Sequence, residues 1–248
     1  VVWTAEGGEV QPVDPSLIRD SPRLLIRPVS ERGETHNKVF VIRGADTTQL
    51  TTGASDDAWP AWSPDDRSIF IVRGWRASSD RYVGNVFRLN PDGSVRAHVT
   101  RTGGQDDGLA LSPRGTALAV NRSVGGTASV VVMDVDGEHA WDVSEEFNLP
   151  RTRTAPAFSP DGSRIAMAYE SASSAAGDLY VVDLHARHAR KVLTASGISG
   201  VTRLAWSPDG HWIALMRWPS DGPVLTISPA EGVGVPVEFP IGGPVLHA

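Results

Sequence analysis

The sequence predicts an all-β protein built from repeated four-stranded antiparallel sheets, and three observations support this. A Ser-Pro turn recurs at an almost constant spacing, strand-like apolar runs stand on both sides of each turn, and a second hairpin follows. The 25 glycines and 18 prolines suit a chain of short strands joined by tight turns.

The Ser-Pro pairs define the repeat. They begin at positions 63, 112, 159 and 207, so the intervals are 49, 47 and 48 residues, and a weaker copy begins at Ser21. In Ser-Pro-Asp-Gly, Ser can open a turn by bonding the backbone two residues on, and Pro presets the φ of the second position. Gly accepts a left-handed conformation at the fourth. Five copies of one structural unit are therefore expected.

The second hairpin of each unit completes four strands in roughly 48 residues, the length expected of one propeller blade. One example is Leu179–Asp183 returning through Lys191–Thr194, and another is Val130–Asp134 turning at Asp136-Gly137. A lone four-stranded sheet cannot bury both apolar faces, so such sheets must stack in a ring. The prediction is a β-propeller.

We expect six blades in a single domain of residues 1–248. Residues 1–14 resemble the outer hairpin of a blade and residues 241–248 its first strand, so the two ends would share the closing blade. A five-bladed or imperfectly closed ring is the alternative. The other predicted blades span about residues 16–53, 58–101, 106–144, 153–195 and 201–240.

A bulky apolar residue precedes each complete turn. It could form a ligand cage or pack between neighbouring blades. The period of this position equals that of the blades, which favours packing. The residues are Trp62, Leu111, Phe158 and Trp206.

Composition excludes several classes of function. The formal net charge of −6 argues against a nucleic-acid partner, whose phosphates need a basic surface. With no cysteine there is no disulfide, thiol catalysis or Cys-bound metal. No apolar run approaches the length of a membrane span. The chain opens at Val1 without an initiator Met, and we expect a monomeric domain cut from a longer protein.

The repeat resembles that of the TolB-type propellers, the WD-like repeat of bacteria. The resemblance lies in Asp57-x-x-Pro60-x-Trp62-Ser63-Pro64-Asp65 and in Leu179–Leu184 followed by Leu193-Thr194, and it covers residues 15 to 240. It implies a six-bladed ring that binds proteins or peptides. The family includes periplasmic proteins, lipoproteins that accompany sensor kinases, and propeller domains of peptidases and receptor kinases, so it does not fix the function.

The resemblance also implies a polar channel mouth. In the family, the residue six before the turn Ser is often Asp or Asn near this mouth, and here the position holds Asp57, Asp106, Arg153 and Val201. We expect Asp57, Asp106 and Arg153 to form an exposed rim that contacts a partner. A cation bound by the acids and a purely structural capping role are the alternatives.

A long loop between the second and third strands of one blade is the other candidate for binding. It contains Trp75, Arg76, Arg81 and Tyr82, residue types that dominate interface hot spots. Its alternative is a loop without function. His185 and His188 could pair on a metal, but with no third ligand in view we interpret them as part of a solvated turn. Asp-Gly pairs such as Asp136-Gly137 indicate hairpin turns rather than calcium loops.

No enzymatic motif is present. The string nearest to a nucleophile elbow, Gly197-Ile198-Ser199-Gly200, has the wrong spacing, and no phosphate loop occurs. We therefore expect a non-enzymatic binding module without metal or cofactor. Its partner would be a protein or peptide, including a cell-envelope component, and its location extracytoplasmic, with the cytoplasm left open. The alternative is the regulatory propeller of a larger enzyme, a prolyl-oligopeptidase-type peptidase or a receptor kinase, whose catalytic domain lies elsewhere.

Overall fold

The computed structural model describes residues 4–6, 9–11, 22–31, 33–76, 82–150, 154–170, 176–198 and 204–241. Within them the chain is nearly all β, with one helix of four residues. The predicted all-β propeller class is confirmed, whereas the number of blades stays a prediction. We number the successive sheets that follow the first hairpin as blades 1 to 5. None of the described helices is long and apolar enough to cross a membrane.

The strands occur in chain order within each blade. They are β1 (Thr4–Glu6) and β2 (Glu9–Gln11) in the hairpin; β3 (Arg23–Glu31), β4 (Glu34–Arg43) and β5 (Asp46–Gln49) in blade 1; β6 (Asp56–Trp62), β7 (Ile69–Arg76), β8 (Tyr82–Leu89) and β9 (Val95–His98) in blade 2; β10 (Gln105–Leu111), β11 (Ala117–Val124), β12 (Thr127–Asp134) and β13 (Trp141–Asp142), followed by α1 (Val143–Glu146), in blade 3; β14 (Ala157–Phe158), β15 (Arg164–Glu170), β16 (Ala176–Asp183) and β17 (His188–Ser196) in blade 4; and β18 (Leu204–Trp206), β19 (Trp212–Arg217), β20 (Val224–Pro229) and β21 (Val237–Pro240) in blade 5.

Neighbouring strands within each blade are antiparallel. Blades 2 and 3 are also joined directly, because Gln105 of β10 pairs in parallel with Gly84 of β8. A Cβ on Gly84 would lie 2.8 Å from the backbone oxygen of Asp106, so only glycine permits this close approach. The two blades therefore form one continuous hydrogen-bonded sheet of eight strands.

Four hydrophobic cores fill the spaces between successive blades. Each core takes side chains from two neighbours, as between blades 4 and 5, where Leu179 and Val181 meet Ile213 and Leu215. The bulky residue before each turn packs against a different core, which confirms the prediction that these residues pack between blades. The four are Trp62, Leu111, Phe158 and Trp206.

The Ser-Pro turns share one set of bonds. In all four, the Ser Oγ accepts from the backbone amide five residues on, at 2.9–3.0 Å. The fourth position has positive φ in each, as predicted; its residues are Asp66, Gly115, Gly162 and Gly210. Where Asp stands third, the Ser Oγ also donates to its carboxylate at 2.5 Å, so the expected bond two residues on goes to a side chain rather than the backbone.

The weaker copy at Ser21 is not equivalent to the others. β3 begins at Arg23, directly after Pro22, whereas in the complete copies the second strand begins four or five residues after the Pro. No turn of the same length fits there. Residues 12–21, which hold the rest of this predicted copy, lie outside the described residues.

Blade 5 presents an open apolar face. Val237 and Phe239 on its last strand and Ile241 just after it alternate along the chain and are each nearly half exposed. Trp212 on β19 is 40% exposed. The predicted closing blade would pack here. Its hairpin is described only as the backbone pairing of β1 with β2, and residues 242–248 lie outside the described residues. Closure of the ring therefore stays a prediction.

Candidate functional site

Asp57 and Asp106 begin the first strands of blades 2 and 3, and both carboxylates are completely buried. Each is held by the side-on fork of an arginine on the next strand. Arg73 donates from Nε at 2.6 Å and from Nη2 at 3.1 Å to the two oxygens of Asp57. Arg122 does the same to Asp106 at 2.7 and 3.1 Å. Both oxygens of each acid are thus bonded within the protein.

Further groups complete these pairs. The Thr100 hydroxyl donates to Asp106 at 2.6 Å and accepts from the backbone amide of Val86, so it ties the acid to the preceding blade. The ammonium of Lys38, only 1% exposed, lies 3.9 Å from Asp57. Buried charges are tolerated when they are paired and hydrogen-bonded in this way.

The expected exposed rim is therefore wrong for these two acids. Their side chains point into the packed interface between blades, where a partner cannot reach them, instead of into solvent. Sequence reasoning overlooked the arginines, although each stands 16 residues after its acid. The third predicted rim residue, Arg153, lies outside the described residues, so its role in binding stays a prediction.

The position of the arginines forms different contacts in blades 4 and 5. In blade 4 it is Tyr169, whose buried hydroxyl lies 3.1 Å from the Ser144 Oγ; burial raises the pKa of this phenol. In blade 5 it is Arg217, which donates to the hydroxyl of Thr226 and pairs with Glu238 at 2.7 Å. Equivalent positions therefore form different networks from one blade to the next.

The predicted binding loop falls between β7 and β8, as expected for a connection of the second and third strands. Trp75, Arg76 and Tyr82 are strand residues at its ends. Their side chains, and Arg81 entirely, lie outside the described residues. Their role in binding stays a prediction.

A cavity of about 110 Å³ is lined by residues on, or directly before, the first strands of blades 2 to 5. Its volume is several times the roughly 30 Å³ that one water molecule occupies in the liquid. The side chains that line it are apolar types, but most of its exposed surface is polar and comes from backbone groups and the indole nitrogen of Trp59. The lining residues are Trp59, Pro60, Leu109, Ala155, Pro156 and Leu204.

A bulge shapes this wall in blades 2 and 3. The pairing of β6 with β7 shifts between Ala58 and Ala61, and Trp59 within the bulge has φ +52°. Gly108 occupies the equivalent place in β10 with φ +58°, and a Cβ there would lie 2.9 Å from the Cα of Ala155. A tryptophan held in a left-handed conformation is costly and tends to occur at functional sites. Sequence reasoning missed it because the repeat suggested an unbroken strand.

Acidic groups lie along the strands that supply the wall. Asp56 on β6 is 37% exposed in its side chain and accepts from the backbone amide of Asn37 at 2.8 Å. Asp107 on β10 is half-buried beside Gln105. The described residues contain no group of three His, Asp or Glu that could hold a metal. The two histidines of the predicted solvated turn, His185 and His188, are both exposed.

Comparison with known proteins supports the fold but no family. No family model and no curated protein matches the sequence. Among solved structures, TolB from Acinetobacter baumannii superposes with a TM-score of 0.63 at 18% identity, over 83% of this chain and 49% of that chain. The chain thus spans about half the length of that protein.

Two other structures show how widely the fold occurs. A structure of a nidogen/laminin complex gives a TM-score of 0.63 at 10% identity, over 89% of this chain and 79% of that one. A puromycin-hydrolyzing peptidase from Mycobacterium tuberculosis gives 0.59 at 15% identity, over 90% of this chain and 40% of that one. At such identities the likeness concerns the propeller fold alone.

Proposed function

We propose that this domain is a non-enzymatic binding module whose central cavity accepts an apolar side chain of a protein or peptide partner. The observation that carries the proposal is the cavity to which four blades contribute apolar side chains, with Trp59 held at positive φ. Concave apolar sites with a few polar groups nearby are the usual form of a binding pocket. Aromatic residues in such sites supply much of the binding energy.

The electrostatics favour a partner with basic residues beside the inserted side chain. Asp56 and Asp107 belong to the same strands as Trp59 and Leu109, and the chain carries a formal net charge of −6. Opposite charge on the partner would speed association and make it sensitive to salt. An extracytoplasmic location, with a cell-envelope component as the partner, belongs to the same proposal.

The experiment is selection of binders from a displayed library of random linear peptides, followed by titration of the selected peptides. Trp59→Gly removes the indole and suits the positive φ. Because the indole also packs against the core between blades 2 and 3, a thermal melt of the variant first checks that the fold is retained. We expect this variant to weaken peptide binding by about tenfold or more, as for an aromatic hot spot. The matched control is Trp218→Ala, because Trp218 is 46% exposed and does not line the cavity.

Two results would contradict the proposal. One is a selection that yields no binder above background. The other is a set of binders with equal affinity for the wild type and Trp59→Gly. If the domain instead regulates an attached enzyme, the partner is that enzyme's catalytic domain, and the same variant should change its activity without changing the fold.

A further inference from the structure

A second cavity, of about 260 Å³, lies at the boundary of blades 4 and 5, near the turns that join their third and fourth strands. Unlike the central cavity, it is lined mainly by polar side chains. The residues are Arg164, Val181, Asp183, Ala186, His188, Arg190 and Glu231. Two guanidinium groups and an imidazole thus line one small space.

The two arginines already hold a carboxylate that belongs to the protein. Arg164 donates from Nη1 to one oxygen of Glu231 at 2.9 Å, and Arg190 donates from Nη2 to the other at 2.5 Å. Arg164 is fixed further by the backbone oxygen of Gly210 at 2.9 Å and by the ring of Trp206, whose centre is 4.9 Å away. The arrangement is complementary to an oxyanion.

The fork of Arg190 is only half filled. In blades 2 and 3, Nε and Nη2 of one arginine bond the two oxygens of a single carboxylate. In Arg190, Nη2 reaches Glu231, but the buried Nε has no hydrogen-bond partner. An unpaired buried donor is unfavourable and is readily satisfied by an added acceptor.

The neighbouring acids leave this donor available. Asp183 accepts from the backbone amides of His185 and Ala186 at 2.9 and 2.7 Å, both at Oδ1, so that oxygen has partners of its own. Glu231 is 57% exposed and is followed by Gly232, which has positive φ. Its carboxylate lies at the surface, where a competing anion can reach it.

We propose that this cavity binds a small oxyanion, a carboxylate or a phosphate, through the Nε–Nη2 fork of Arg190, with Glu231 as the internal occupant that the ligand displaces from Arg190. Arg164 keeps its bond to Glu231, and His188 lines the space that the ligand enters. The cavity lies at the turn end of blades 4 and 5 and shares no lining residue with the central cavity. The proposal therefore does not depend on the function proposed above.

The test measures binding of inorganic phosphate and, separately, of acetate, by calorimetry at constant ionic strength with chloride as the balancing anion. Glu231→Gln removes the competing charge and should tighten binding by about tenfold, the effect of one charge-assisted hydrogen bond. Arg190→Lys keeps the charge but lacks the fork, so it should weaken binding by about tenfold. The control Arg114→Lys makes the same exchange as Arg190→Lys at an exposed turn residue and should have no effect.

The order of affinities decides the outcome. The proposal is supported if Glu231→Gln binds the anion more tightly than the wild type, and the wild type more tightly than Arg190→Lys. The probe that binds more tightly, phosphate or acetate, identifies the anion class. Equal affinity in all three proteins, or no binding in any of them, overturns it. If Glu231→Gln fails to fold, the wild type and Arg190→Lys still decide, because that variant keeps a cation beside Glu231.

Discussion

The hydrogen bonds at equivalent positions of the repeat are the same at one end of the blades and different at the other. At the turn end, four copies use the same bond from the turn Ser to the backbone amide five residues on. At the opposite end, equivalent positions hold Arg73, Arg122, Tyr169 and Arg217, each with other partners. The turn is satisfied within one hairpin, so every copy needs the same residues. The opposite end joins two blades, so the side chains there can form a different network at each interface.

The largest effect should follow a change at the variable end. Asp106→Ala leaves the guanidinium of Arg122, 16% exposed, and the hydroxyl of Thr100 without their acceptor. We expect the free energy of unfolding to fall by about 3 kcal/mol in urea titration. The control Asp136→Ala removes an acid that is 75% exposed and should cost less than about 0.5 kcal/mol. If the two variants lose similar amounts of unfolding free energy, the Asp106–Arg122 pair contributes no more than an exposed ion pair.

A change at the repeated turn should have a smaller effect. Gly162 has φ +73° with only Pro113 nearby, so Gly162→Val tests the backbone conformation rather than a clash, and should lower the unfolding free energy by about 2 kcal/mol. The reverse exchange is available in blade 2, where Asp66 occupies this position with φ +56°. Asp66→Gly should stabilise the domain by up to about 1 kcal/mol. If the melting temperatures of Gly162→Val and Asp66→Gly shift in the same direction, the two turns do not share one conformation.

The smallest effect concerns acid titration. Hydrogen bonds from Ser159 and then Ser163 hold the pKa of Asp161 well below its ordinary value of 3.8. The folded-state pKa is depressed, so this acid contributes stability above pH 3.8 that is lost as the pH falls towards the folded value. Ser159→Ala should raise the pKa of Asp161 and narrow that window, measured by carboxyl NMR titration. Ser112→Ala should leave the carboxyl titrations unchanged, because this turn has Arg114 at the position of Asp161. A change in a carboxyl titration there would contradict the assignment of the effect to the Ser–Asp bond.

The sequence predicted those features that depend on interactions within a few residues or on the repeat period. The Ser-Pro turns, the left-handed fourth position and the packing of Trp62 and Trp206 between blades all follow from local bonds or from the repeat period. The acid–arginine pairs were missed because they join adjacent strands, although the spacing from Asp57 to Arg73 recurs from Asp106 to Arg122. The shape of the central cavity depends on a bulge at Trp59. The cavity could not be predicted, because the alternation of residue types along the strand does not indicate where the register shifts.

The parallel pairing of Gln105 with Gly84 also affects how the domain opens. Backbone hydrogen bonds run from β6 to β13 without interruption. Blades 4 and 5 are separate sheets, linked to each other through side-chain packing, ion pairs and a backbone hydrogen bond from Trp218 to Gly197 at 3.0 Å. In stacked repeats, cooperativity depends on the coupling between neighbours. Blades 2 and 3 should therefore exchange their amide hydrogens as one unit with a common opening free energy, while blade 5, with its exposed apolar face, opens first.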